Sequence, residues 1–133
     1  MKSKPKKQGI KTWHIYDRVY RIWLVYCEGN RGEFDKFIGD CGEDSSSVSA
    51  WALTITVNTN GNDFVAVWLP KRTLKTRLHE LTHVAMMVFD RVGIPINGET
   101  HEAFAYYLEY LWHEVDCATK EHKSGLEHTE VIK

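Results

Sequence analysis

Residues 74–92, LKTRLHELTHVAMMVFDRV, decide how the rest of this chain is read. Leu74, Leu78, Leu81, Ala85, Val88 and Val92 recur alternately four and three residues apart, the period of an amphipathic helix laid on a core. Thr73 is an N-cap residue type, and Gly93 supplies a left-handed closing residue, with Ile94-Pro95 beyond it. A second helix follows. Asn97 is placed to cap it, and Phe104, Tyr107, Leu108, Leu111 and Val115 form its apolar stripe.

Upstream the period drops to two. Trp51, Leu53, Ile55 and Val57 alternate with Ala52, Thr54 and Thr56, as in a half-buried strand. NTNGND at 58–63 supplies turn chemistry, with Asn60-Gly61 the strongest hairpin signal. FVAVWL at 64–69 returns as the second arm, and Pro70, which has no donor for a ladder, ends it. Earlier, VYRIWLVYC at 19–27 reads as a strand. Residues 29–44 hold one short helix around Phe34, Phe37 and Ile38, and the serines at 45–47 are a loop. This order predicts an α+β fold, with helices packed on one face of a small antiparallel sheet.

With 133 residues the chain is expected to form a single domain over 1–133. Its content, 43% hydrophobic and 26% charged, is that of an ordinary globular protein. A formal net charge of −1 gives no overall field toward nucleic acid, so a nucleic-acid partner is disfavoured. Residues 1–11 carry Lys2, Lys4, Lys6, Lys7 and Lys11 without an acid and are expected to be a solvated, disordered leader. Residues 120–133 are read as a polar tail. No apolar run approaches the roughly 20 residues of a membrane span, and no secretory pattern follows the lysines. A cytoplasmic protein without a membrane partner is expected. Cys27, Cys41 and Cys117 lack the spacing of a disulfide framework or a zinc knuckle and are expected to be reduced thiols.

His79, Glu80 and His83 spell HExxH inside the first long helix. Residues four apart on a helix differ by about 40° in azimuth and about 6 Å in rise, so both imidazoles reach one ion. Glu80 lies about 100° from His79 and about 60° from His83, placed to take a proton from metal-bound water rather than to ligate. A catalytic zinc normally takes a third protein ligand. Glu99, His101 and Glu102, at the start of the second helix, are the candidates. Glu102 is preferred because it heads a side stripe, Glu102–Tyr106–Glu109–His113, beside the apolar face, and His101 is the alternative. Glu99 suits the helix N-terminus, where a carboxylate is favoured.

The run HELTHVAMMVFDRVGIPINGETHEAFAYYLEYL, 79–111, resembles the small gluzincin-type metallopeptidases of tailed phages and prophages. More loosely it is similar to the ImmA/IrrE-like and SprT-like minimal zincins. The HExxH helix, the Gly93-Ile94-Pro95 turn and the Glu102-Ala103 pair carry the resemblance, which covers about residues 62–115. It implies a minimal zincin fold with Zn2+ on His79, His83 and Glu102, Glu80 as general base, and a peptide or protein substrate. It also implies that FVAVWL is the sheet edge to which an extended peptide adds as a strand. The chain departs from the pattern one turn after Glu102. Larger members often carry an acid there, and this chain has Tyr106.

The expected activity is zinc-dependent hydrolysis of a peptide bond. A phage-associated binding protein on the same fold is the alternative, and a nucleic-acid-associated protease guided by the lysine leader is disfavoured by the near-neutral charge. Tyr106, Tyr107 and His113 are candidates for stabilising an oxyanion, with Tyr107 assigned to the core by preference. His14, His122 and His128 are read as spectators. Met86 and Met87 are read as core filler, and Trp13, Trp23, Trp51, Trp68 and Trp112 as core and sheet face.

Overall fold

The computed structural model describes residues 9–120. Residues 1–8 of the lysine leader and the tail beyond Lys120, with His122 and His128, lie outside the described residues. Strands β1 (Ile10–Asp17) and β2 (Ile22–Gly29) are followed by helix α1 (Arg31–Asp40). Strands β3 (Leu53–Val57) and β4 (Phe64–Leu69) precede helices α2 (Leu74–Val92) and α3 (His101–Thr119). The fold is α+β.

The sheet runs in the order β1-β2-β4-β3 and is mixed. β1–β2 and β3–β4 pair antiparallel, but β2–β4 pair parallel, Cys27 opposite Trp68. The expectation of an antiparallel sheet is corrected accordingly, and so is the expectation that FVAVWL forms the edge. Every residue of β4 is buried, because the strand is central and covered on both faces. The edge beside it is β3.

Both faces carry helices, where the sequence pointed to one. Leu24, Tyr26, Val65, Val67 and Leu69 pack against Leu81, Val84, Ala85, Val88 and Phe89 of α2 and Tyr107, Leu111 and Val115 of α3. On the opposite face Val25, Cys27, Ala66 and Trp68 meet Phe34 and Ile38 of α1. Asn30 caps α1 by accepting from the backbone N–H of Glu33.

β1 is an element the sequence reading missed. Ile10 and Lys11, expected to belong to the leader, open this strand. It is an edge strand in which Lys11, Thr12 and His14 are exposed while Ile15 and Asp17 are buried, so its exposed residues resemble the lysine-rich stretch before it. The Asp17 carboxylate is buried and accepts from the N–H groups of Val19 and Tyr20 and from the Tyr107 hydroxyl. One side chain thus shapes the β1–β2 turn and docks α3.

Candidate functional site

Helix α2 starts and stops as its sequence predicts. The Thr73 hydroxyl accepts from the N–H of Thr76 at 3.1 Å, and Gly93 takes the left-handed conformation with φ 81°. Its buried face, however, is rotated from the leucine stripe. Arg77, Glu80, Leu81, Val84, Ala85, Val88 and Phe89 are buried, whereas Leu74 is 73% exposed and Leu78 49%. Met86, expected in the core, is also exposed.

That rotation fixes the histidines. His79 and His83 are exposed, and their Nε2 atoms face one another at 3.2 Å across nearly perpendicular rings. Two nitrogens each bound about 2.0–2.1 Å from a tetrahedral zinc lie roughly 3.3 Å apart. As a donor pair, the two imidazoles therefore fit such an ion.

Glu80 leaves the histidine face and turns toward the sheet. It is 5% exposed, and the Thr54 hydroxyl donates to its Oε1 at 2.5 Å. Thr54 belongs to β3, so the edge strand and the HExxH helix meet at this carboxylate. Glu80 and His79 line one side of a cleft of about 540 Å³, with Lys75, Thr76 and the loop residues Ala50, Trp51 and Ala52 around it. Trp51, read from the sequence as the first inward residue of its strand, lies outside β3 and is 90% exposed.

The same N-terminal end of α2 is held by a buried ion network. The Glu28 carboxylate accepts from Arg72 at 2.9 Å and from the Tyr26 hydroxyl at 2.8 Å, and Arg77 reaches it at 3.4 Å. Arg77 also donates to the Tyr26 hydroxyl and to Thr119 at the end of α3. Burial works to raise the Glu28 pKa, but the bonds from Arg72 and Tyr26 outweigh it and hold the carboxyl below its usual range. β2, α2 and α3 are pinned together at Arg77, two residues before His79.

Helix α3 begins at His101, later than the Asn97 cap suggested. The Asn97 side-chain Oδ1 instead accepts from the N–H groups of Glu99 and Thr100 in the turn before the helix. Glu102 is exposed and lines an open groove between α2 and α3 together with Leu74, Leu78 and Tyr106. His101 is exposed at the first helical position. Tyr107 is buried, as preferred, and His113 lies 3.5 Å from the Cys117 thiol one turn on.

Among the described residues, no group of three or more His, Cys, Asp or Glu side chains is arranged to hold a metal ion. The expectation of a gluzincin-type metal-binding centre with three assembled protein ligands is corrected by this finding. The helix spacing brings the two histidines together. A carboxylate on the next helix must be delivered by the angle between helices, which the sequence pattern does not encode.

Sequence reasoning missed Thr54 as a partner of Glu80 and Arg77 as a buried cation. An arginine inside the predicted apolar helix was the available signal for the second. Cys27 is buried, and burial pushes its thiol up to about 11 despite a hydrogen bond to Thr12, which makes it inert at neutral pH. No described helix is long and apolar enough to cross a membrane. Comparison with known proteins finds no matching family model, no matching curated protein and no matching solved structure.

Proposed function

We propose that the chain hydrolyses peptide bonds at His79, Glu80 and His83, with zinc as the cofactor that the two histidines take. The observation that carries this reading is the 3.2 Å approach of the two Nε2 atoms, a spacing that suits a shared tetrahedral ion. When bound, zinc would supply Lewis acidity toward water and a carbonyl oxygen.

The chain's own residues do the rest. Glu80 takes the proton of the attacking water and carries it to the leaving amine. Thr54 fixes one carboxylate oxygen, which leaves the other for the proton. The β3 edge, next to Glu80 and unpaired on its outer side within the sheet, suits an extended peptide that adds as a strand. Cleavage of an unfolded polypeptide then needs no deep pocket. The resemblance of 79–111 to phage metallopeptidases supports the same reading.

A second reading has one observation in its favour. The lack of an assembled third ligand among the described residues suits a binding protein on this fold, in which the imidazoles simply hydrogen-bond to one another. Zinc titration of the wild type, His79→Ala and His83→Ala chains tests the proposal. The expected result is about one zinc per wild-type chain, with most of it lost in each variant. Equal zinc in His83→Ala and wild type would overturn the cofactor assignment and leave the binding reading.

A further inference from the structure

Five exposed apolar side chains, Trp51, Leu74, Leu78, Met86 and Tyr106, lie on or next to the elements that carry the histidine face. Three of them line the groove between α2 and α3, a cavity of about 690 Å³. Leu74 and Leu78 form its α2 side, and Leu108, Tyr106 and Trp112 its α3 side. Lys75 borders both this groove and the cleft beside His79 and Glu80, so the two spaces adjoin at one residue.

The charges on the groove are uneven. Glu102 and Glu109 stand on α3 against Lys75 alone on α2, and the ion pairs among the described residues are all made by other side chains. A purely apolar occupant would strip water from two carboxylates and return nothing to them. A side chain with an apolar stem and a cationic head satisfies both parts. Trp112 already takes the Arg77 guanidinium over its ring at 5.6 Å, so its electronics suit a cation.

We propose that this groove is a specificity subsite for a lysine or arginine side chain of the substrate peptide. The stem lies along Leu74, Leu78 and Leu108, and the charged head meets Glu109, with Glu102 two turns earlier on α3 adding to the negative field. The inference rests on the hydrolase reading for its substrate, and binding tests it independently of hydrolysis.

The probes are fluorescein-labelled, end-capped alanine-based octapeptides with one central arginine, norleucine or glutamate. Fluorescence polarisation measures their affinity for the full chain carrying Glu80→Gln, so that no peptide is consumed. The arginine peptide is expected to bind on the order of tenfold tighter than the norleucine peptide, the scale of one charge-assisted contact. Adding Glu109→Gln should close most of that gap, and Glu109→Lys should turn the preference toward glutamate. Glu109 is exposed, and circular dichroism checks that both chains fold. Equal binding of arginine and norleucine peptides, no binding of the arginine peptide, or a gap untouched by both Glu109 variants would overturn the proposal. Arginine preference without cleavage by the wild type would refute the hydrolase reading and uphold the groove.

Discussion

Thr54 holds Glu80 through a hydrogen bond that crosses from the edge strand to the HExxH helix. Thr54→Val keeps the shape and β-branching and removes only the hydroxyl. Hydrolysis should fall by about tenfold in kcat, with zinc content unchanged, because a freed carboxylate spends less time aimed at water. Thr54→Ser should restore most of it. An unchanged kcat in Thr54→Val would show that Glu80 needs no such support. At this scale the sequence is partly legible. His79 and His83 meet because residues four apart on a helix share one face, and the helical period that points Tyr107 to the core agrees with its burial. The Thr54 contact was not readable, since 26 residues of chain separate the partners and only packing brings them together. Trp51 misled because its position continues the alternation of β3 while its backbone does not.

Elements are the most legible level, where local chemistry decides. The Asn60-Gly61 hairpin forms with φ of 52° and 80° at these two residues, and β3 and β4 pair antiparallel across it. The ends of α2 are likewise local. Gly93 sits at φ 81° with nothing within 4 Å of the place a Cβ would occupy, so the backbone alone resists a larger residue there. Gly93→Ala should therefore cost about 1 kcal/mol, read as a lower urea midpoint at constant slope. No loss of stability would mean that this helix ends differently. What failed at this level failed for want of partners. β1 exposes Lys11, Thr12 and His14, polar residues that a strand edge and a solvated leader share. The exposed Leu74 and Leu78 satisfy the helical period yet line the groove rather than the core.

At the scale of the whole molecule, pairing and layering lay beyond local signals. FVAVWL is apolar at every position, a pattern common to central strands, and neither its parallel neighbour β2 nor the cover from α1 is written in it. The ion network around Arg77 ties the layers that carry the site. Arg77→Met would leave Glu28 with less compensation in a buried setting and should destabilise the fold by about 3 kcal/mol, measured by denaturant unfolding. Glu28 has a folded pKa below its unfolded one, so its stabilisation is fully present above the ordinary carboxylate range near 4.3. It is lost as pH falls through the lower folded value. Glu28→Gln should accordingly flatten part of the acid limb of the stability–pH curve, and an unchanged limb would show that the network does not titrate this way. The central claim is that Glu80 is the base of a hydrolase, and its most direct test is the rate at which wild type and Glu80→Gln cleave a panel of unfolded proteins at matched zinc occupancy. The account predicts that the variant keeps its fold and metal and loses hydrolysis by a factor on the order of 10² or more. Cleavage by Glu80→Gln at the wild-type rate would contradict it.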